Sequence, residues 1–345
     1  NTISMEEVKG PSASLLTKVL YTGAAVGGIC CLAAGLRHAR RVSGARERLQ
    51  QLLAAAVGDE ARIVITGATS VIGKELVQQL HRHPSVTLLL GCRNVKRAEQ
   101  MFKNEERMQV FKLDLLDPDS VQSFADEAHS FLKGGEDGLR MLVHNAEIMQ
   151  SSKASLSDSK ATWQTNFLAP YLLTELLGRL REKDRSSKRP VSVVQVSSPL
   201  EKRSQLDSDL LKAVGSGKEA SPNPYADSKR ALMLWTSVRA QSLAFKGGLF
   251  CHAATPGVVD TQFGSHSVPP WLWPFTKPLR SPAEGALGVA AAGLRTQATN
   301  VFGRYMDGEE QLEDLVMERM GEKGLALEVV KWATVASALE QRADG

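Results

Sequence analysis

The chain has 345 residues, of which 43% are hydrophobic and 23% charged, a balance that excludes disordered and fibrous proteins. Lysine and arginine outnumber the acidic residues by only 42 to 38, so no nucleic-acid-binding surface is expected. The four cysteines and seven histidines have neither disulfide-framework nor zinc-ligand spacing, so no metal is expected either. The length suits one domain of about 280 residues with an amino-terminal appendage.

The appendage contains an uncharged run of eighteen residues, 19–36, after an amino-terminal tail, 1–18. As a helix this run would span about 27 Å, near the lower limit for crossing a lipid bilayer. Residues 37–41 then include three arginines, and such a positive flank stays on the side where the chain is made. We expect a transmembrane helix with the large domain on the basic side, in the endoplasmic reticulum or the mitochondrial inner membrane.

Two other interpretations of this run stay open. A cleaved signal sequence is one, although the preceding residues lack the expected net positive charge. The other is a helix rich in glycine and alanine that is buried against a partner. Gly23 and Gly27 form a GxxxG pair that lets a second helix approach closely.

Residues 37–60 form a basic, amphipathic linker. Leu49, Leu52, Leu53 and Ala56 recur at a spacing of three or four residues, which predicts a short helix. The helix is expected to pack on the main domain or to lie on the membrane surface. The second choice is weaker, because the basic residues cluster at one end.

From residue 61 to residue 345, short apolar runs alternate with helical patterns, which predicts a single α/β domain. The predicted strands are Arg62–Ile65, Val86–Leu90, Gln109–Leu113, Leu139–Val143, Val191–Val196, Leu249–Ala254 and Val301–Tyr305. The predicted helices are 73–82, 119–132, 159–183 and 224–246. The strands are apolar on both faces, as in a doubly wound parallel sheet, whose site lies at the carboxyl ends of the strands.

The carboxyl-terminal stretch, 309–343, has a helical pattern. Leu312, Leu315 and Met320 fit one amphipathic helix, and Leu325 and Val329 begin another. Packing on the core is the main expectation for both helices. Contact with a partner in a membrane complex, or with a second copy in a homodimer, is the alternative.

Two segments suggest a nucleotide. The first strand leads into TGATSVIG, 66–73, and a glycine turn before a helix presents backbone N–H groups to a phosphate. The second strand ends at Arg93, where a cation can meet a ribose 2′-phosphate. A solvated surface arginine is the alternative for Arg93.

Further segments follow in order along the chain: LDL (113–115), LVHNAE (142–147), TNF (165–167), VQVSS (194–198), YADSK (225–229), PGVVDT (256–261), RSPAEG (280–285) and FGRY (302–305). With the turn at 66–73, this series resembles the short-chain dehydrogenase/reductase family, and within it the membrane-anchored retinol dehydrogenases. The similarity extends over residues 61–310 and implies a Rossmann-like fold. It also implies a nicotinamide cofactor, and the cation at Arg93 favours NADP(H) over NAD(H).

The resemblance assigns roles to individual residues. Its catalytic residues would be Asn166, Ser198, Tyr225 and Lys229. Its cofactor-binding residues would be Thr66, Gly67, Thr69, Ser70, Ile72, Gly73, Arg93, Asp114, Leu115, Asn145, Ala146, Tyr225, Lys229, Pro256, Gly257 and Thr261. Because Tyr225 and Lys229 are one helical turn apart, we expect the ammonium to favour the phenolate and to lower the tyrosine pKa.

Four residues depart from the family pattern. Val71 and Glu147 replace glycines, His144 replaces an asparagine, and Pro199 follows the serine of the site. A carboxylate at 147 repels a pyrophosphate unless it turns away or finds a partner such as Arg140. A second hypothesis therefore stays open, in which the chain is a catalytically impaired structural or regulatory subunit of a membrane complex.

An apolar segment falls between the last two groups of motifs. By resemblance, residues 262–280 form a lid over the substrate, with Trp271, Leu272, Trp273 and Phe275 against a large apolar molecule. Such a substrate would be a retinoid, a steroid or a fatty carbonyl compound. Contact of these side chains with the bilayer or a protein partner is the alternative.

Overall fold

A computed structural model gives the fold of the protein, and the residues described are 36–102, 106–133, 138–149, 155–184, 190–241, 248–259, 280–299, 303–307, 310–315 and 322–343. The chain divides into two units, Asn1–Gly44 and Ala45–Gly345. Apart from Leu36, the predicted transmembrane run lies outside the described residues, and so does the predicted lid apart from Arg280. None of the helices in the described ranges is both long and apolar enough to cross a membrane.

One eight-stranded sheet forms the centre of the second unit, in the order β3-β2-β1-β4-β5-β6-β7-β8. The strands are β1 (Ala61–Thr66), β2 (Val86–Cys92), β3 (Met108–Lys112), β4 (Leu139–His144), β5 (Val191–Val196), β6 (Leu249–Thr255), β7 (Arg304–Asp307) and β8 (Glu310–Asp314). Neighbouring strands from β3 to β7 are parallel, and β8 is antiparallel to β7. The predicted α/β parallel sheet is thus confirmed.

The helices are α1 (36–56), α2 (Val71–His81), α3 (Val95–Phe102), α4 (Pro118–Lys133), α5 (Leu156–Trp163), α6 (Ala169–Lys183), α7 (Ser208–Gly215), α8 (Pro224–Gln241), α9 (Pro282–Thr299) and α10 (Lys323–Ala343). A π-helical turn, Gln164–Leu168, joins α5 to α6. A 3₁₀ helix, Pro199–Arg203, follows β5.

The sheet has a topological switch point at β1. This strand pairs with β2 on one side and β4 on the other, so that Thr66 lies beside both Gly91 and His144. The chain leaves β1 and β4 towards opposite halves of the sheet. A crevice therefore opens at their carboxyl ends, where ligands of such sheets bind.

The linker helix contributes to the core of the second unit. Leu49 and Leu53 are fully buried, in one apolar cluster with Ile63 of β1 and Leu76 of α2. Arg46 supports this packing through an ion pair with Glu75, at 2.7 Å between Nε and Oε1. This face of α1 packs on the domain.

Two sequence predictions are wrong in detail. Residues 310–314, assigned to an amphipathic helix, form β8, because this short segment pairs as an edge strand with β7. The single helix predicted for 159–183 is interrupted by the π turn at Gln164–Leu168. Helices α3 and α7 were not predicted.

Two histidines lie inside the sheet. His144 of β4 is 3% exposed, and its Nε2 is 2.9 Å from Thr174 Oγ1 of α6. His252 of β6 is 1% exposed. Burial lowers the pKa of each imidazole to about 3, and the charge of Arg304 adds to the effect at His252. Both rings are therefore neutral in the folded protein at neutral pH.

Replacing Leu53 with alanine should lower the free energy of unfolding by about 2–5 kcal/mol, because the side chain is fully buried. Urea titration followed by circular dichroism measures the change. Gln51→Ala, on the exposed side of the same helix, is the control and should have little effect. An equally small effect of both substitutions would show that this helix does not pack on the core.

The buried histidines predict acid sensitivity. A histidine in an unfolded chain has a pKa of about 6.5, so below that pH the unfolded chain binds a proton at residue 144 that the folded protein does not bind. The free energy of unfolding therefore decreases as the pH falls towards about 3. When the pH falls from about 7.5 to about 4.5, the free energy of unfolding should decrease by roughly 2.7 kcal/mol less in His144→Asn than in the wild type. His38→Asn, an exposed control, should follow the wild type. An unchanged acid dependence in His144→Asn would contradict the assignment.

Candidate active site

The turn between β1 and α2 is built on two glycines. Gly67 has a φ of 68°, and a Cβ there would lie 2.6 Å from the Cα of Ala146. A Cβ at Gly73 would overlap the carbonyl oxygen of Gly67. Ser70 caps α2, since its Oγ accepts a hydrogen bond from the Gly73 amide at 3.0 Å. The turn is tight and aims the positive end of α2 at the crevice, which suits an anion.

The end of β4 locks this turn in place. Asn145 Nδ2 donates to the carbonyl oxygen of Gly67 at 3.0 Å and to Ser70 Oγ at 3.2 Å. The Ala146 amide donates to Thr66 Oγ1 at 3.2 Å. Five predicted cofactor-binding residues thus form one connected group: Thr66, Gly67, Ser70, Asn145 and Ala146.

Three further residues of the turn differ in exposure. Thr69 and Ile72 are half-buried. Val71, which replaces a glycine of the family pattern, is 47% exposed at the start of α2. The valine methyl groups add bulk on the solvent side of the turn and do not enter the core.

The residues predicted to meet the adenosine half lie at the ends of β2 and β3. Arg93 is exposed, and its backbone carbonyl oxygen accepts a hydrogen bond from Lys112 Nζ at 3.0 Å. The Asp114 amide donates to Ser120 Oγ at 2.9 Å, and Oδ1 of Asp114 accepts from the Leu116 amide at 3.2 Å. Leu115 is buried.

Asn166 lies in the π turn and is 1% exposed. Its amide Nδ2 donates to the carbonyl oxygen of Ile148, and its Oδ1 accepts from the Ile148 amide, both at 2.9 Å. Nδ2 also donates to Ser228 Oγ on α8 at 3.2 Å. The wider turn places this side chain between the segment after β4 and α8, and single π turns often occur at functional sites.

Ser198, Tyr225 and Lys229 meet at the carboxyl end of β5. Ser198 hydrogen-bonds the Tyr225 phenol oxygen, and its Oγ also accepts from the Leu200 amide at 3.3 Å. Lys229 Nζ lies 5.7 Å from the centre of the Tyr225 ring and donates to the carbonyl oxygen of Val196 at 2.7 Å. The predicted catalytic residues are therefore neighbours in space.

Glu147 enters this group as a fifth member. Its Oε2 accepts a hydrogen bond from Tyr225 Oη at 3.0 Å and forms an ion pair with Lys229 Nζ at 2.7 Å. Arg140, proposed above as its partner, instead pairs with Glu60 at 3.4 Å. The sequence showed that a carboxylate replaces a glycine here, but it gave no signal for which cation it meets.

The expected effect of Lys229 on Tyr225 is reversed. Burial raises the tyrosine pKa well above its usual value, and the charge of Glu147 raises it further, whereas Ser198 opposes the shift. The Lys229 ammonium does not stabilise the phenolate, because its charge is neutralised by the Glu147 carboxylate 2.7 Å away. Tyr225 is a protonated phenol at neutral pH.

The segment between Ser198 and α8 is fixed by buried carboxylates that were not predicted. Asp227 Oδ1 accepts from Ser204 Oγ at 2.6 Å and from the Gln205 amide at 3.1 Å. Glu201 is fully buried and pairs with Arg230 at 3.0 Å. In the sequence, the available signal for these contacts was that acidic residues and serines lie near each other on both sides of the segment between Ser198 and α8.

The remaining predicted residues lie near β6 or outside the described residues. Pro256 is buried and Gly257 half-buried, next to Arg280, which pairs with Asp307 at 2.8 Å between Nη2 and Oδ2. The predictions for Thr261, Trp271, Leu272, Trp273 and Phe275 fall outside the described residues. In the part of the chain that the structure describes, no three His, Cys, Asp or Glu residues form a group that could hold a metal ion.

Known proteins are similar in sequence. Dehydrogenase/reductase SDR family member 13 of Bos taurus is 32% identical over 254 residues, which cover 70% of this chain but only 64% of that protein. Retinol dehydrogenase 12 of Bos taurus is 32% identical over 70% of this chain and 76% of its own length. Polyprenol dehydrogenase of Mus musculus is 29% identical over 73% of this chain and 77% of its own length.

The fold is similar to that of a carbonyl reductase with bound NADPH from chicken fatty liver, with a TM-score of 0.54 and 22% identity over 74% of this chain and 94% of that one. Residues 61–208 match the model of the family described as short chain dehydrogenase. Sequence and fold agree, and the chain belongs to the short-chain dehydrogenase/reductase family.

Proposed function

We propose that the protein is an NADP(H)-dependent oxidoreductase that transfers hydride between nicotinamide and the carbonyl or alcohol group of an apolar, lipid-like substrate. The observation that carries this proposal is the cluster of Tyr225, Ser198, Lys229 and Asn166 at the carboxyl ends of the parallel strands. A phenol beside a serine hydroxyl can hydrogen-bond one substrate oxygen and exchange a proton with it.

One end of the crevice fits a dinucleotide. The turn at 66–73 offers the backbone and the helix end that a pyrophosphate needs, and Asn145 holds it rigid. Asp114 would face the adenine, and Arg93 a ribose 2′-phosphate. A bound nicotinamide would supply or accept the hydride.

The end at Tyr225 does not fit the cofactor as it stands, because the Glu147 carboxylate takes hydrogen bonds from both Tyr225 and Lys229. This contact also favours the second hypothesis, a catalytically impaired subunit of a membrane complex. The two hypotheses differ in nucleotide binding. At a hundredfold excess over its Kd, NADPH would stabilise the fold by about 2.7 kcal/mol and raise the melting temperature, whereas an impaired subunit that has lost the cofactor would show no shift.

The tyrosine environment favours carbonyl reduction. Tyr225 is 7% exposed and protonated, so it is ready to give a proton to a carbonyl oxygen. Ser198 would hold the same oxygen, and Asn166 would position a water for the return of the proton. Oxidation of an alcohol would require the phenolate, which burial and Glu147 disfavour.

The substrate class is supported by the names of two relatives, a retinol dehydrogenase and a polyprenol dehydrogenase, both of which refer to apolar alcohols. We extend this chemistry to a retinoid, steroid or fatty carbonyl compound, to be covered by the apolar residues of 262–280. A membrane anchor at 19–36 would place the site near such substrates, and it stays a prediction.

Tyr225→Phe should abolish reduction of an apolar aldehyde, because the proton donor is lost, while NADPH binding is retained. NADPH oxidation at 340 nm measures turnover, and nucleotide fluorescence measures binding. Tyr171→Phe is the matched control, since that phenol bonds Thr334 at 2.7 Å and should be dispensable for turnover. Full activity in Tyr225→Phe would reject the assignment of Tyr225 as the proton donor.

Arg93→Ala should weaken NADPH binding about ten- to hundredfold and leave NADH binding nearly unchanged, because a hydrogen bond to a charged group contributes about 1.5–3 kcal/mol. Titration calorimetry with both nucleotides provides the measurement. Arg97→Ala, an exposed neighbour on α3, is the control. Equal losses for NADPH and NADH would remove Arg93 as the selecting residue.

A further inference from the structure

Glu147 makes the same contacts that a ligand of this site would need. One carboxylate oxygen, Oε2, accepts from Tyr225 Oη at 3.0 Å and pairs with Lys229 Nζ at 2.7 Å. Building on the proposed function, we propose that Glu147 is an internal competitor, whose carboxylate occupies the two donors Tyr225 and Lys229 until a nucleotide hydroxyl or a substrate oxygen displaces it.

The burial of Lys229 explains why the competitor is strong. Only 2% of the lysine side chain is exposed, so water does little to stabilise its charge. An ammonium in such a place requires a counter-charge and hydrogen-bond acceptors. Glu147 supplies the charge, and the carbonyl oxygen of Val196 supplies a second acceptor at 2.7 Å. An incoming neutral hydroxyl must replace a charged partner.

The backbone beside Glu147 limits how the carboxylate can leave. The amide and carbonyl groups of Ile148 are both held by Asn166 at 2.9 Å. Displacement by a shift of the main chain would break both hydrogen bonds. The Glu147 side chain is 21% exposed, so rotation of the side chain towards solvent is the available route.

Three proteins test the competition: the wild type, Glu147→Gln and Glu147→Gly, the last with the residue typical of the family. NADPH affinity is measured by titration calorimetry on the full chain. Both substitutions should lower the Kd by about tenfold or more, which corresponds to about 1.4 kcal/mol of competing interaction. The exposed Glu127→Gln on α4 is the control for loss of a negative charge and should match the wild type.

The outcomes separate this inference from the proposed function. If the wild type binds NADPH and both Glu147 variants bind no tighter, the competitor is refuted while the proposed function stands. Failure of all the proteins to bind NADPH or NADH would refute both. Binding by Glu147→Gly with none detectable in the wild type would show that the carboxylate blocks the site and is not displaced, which would overturn the displacement step and count against the proposed function.

A second readout reports on the contact itself. The charge and hydrogen bond of Glu147 raise the pKa of Tyr225, so Glu147→Gln should lower it. Phenolate absorbance during alkaline titration, taken as a difference from Tyr225→Phe in each background, isolates this one tyrosine among four. An unchanged Tyr225 titration in Glu147→Gln would show that the carboxylate does not reach the phenol in solution. Because exposure of the phenol to water would also lower the Tyr225 pKa, the circular dichroism spectrum and the urea midpoint of Glu147→Gln must match those of the wild type.

Discussion

A buried ammonium ion governs the chemistry of this crevice. Lys229 is almost completely removed from water, and low polarity around a cation demands a negative partner at short range. Glu147 fills that role from the end of β4, across the crevice from α8. The pair also determines the protonation state of Tyr225. The lysine charge is neutralised by the carboxylate, and the charge of Glu147 adds to burial in raising the tyrosine pKa, so the phenol keeps its proton.

The fold that brings these groups together follows from strand geometry. Parallel strands end at the same edge of the sheet, so polar residues directly after β1, β4 and β5 converge even though they are far apart in sequence. The apolar runs of the central strands and the glycine turn after β1 predicted this edge from the sequence. Tyr225 and Lys229, one turn apart on a helix, predicted the rest of the cluster.

Other features depend on contacts that a single sequence does not encode locally. The segment 310–314 has the polarity of an exposed helix, and only its pairing with β7 makes it a strand. The partner of Glu147 could not be predicted either, because Arg140 and Lys229 are both cations. Only the tertiary structure shows that Arg140 pairs with Glu60. The pKa of Tyr225 is raised and not lowered as expected, because burial and the contact with Glu147 also depend on the tertiary structure.

The π turn at Gln164–Leu168 sacrifices part of the regular hydrogen-bond ladder of its helix. Each residue of an α-helix turns about 100° around the axis, so removing the extra residue would swing Asn166 away from Ile148 and Ser228. A regular α-helix at this point would be more stable, but the protein would lose the orientation of the Asn166 side chain. The π turn thus keeps the Asn166 side-chain amide directed into the protein, although the helix is less regular there.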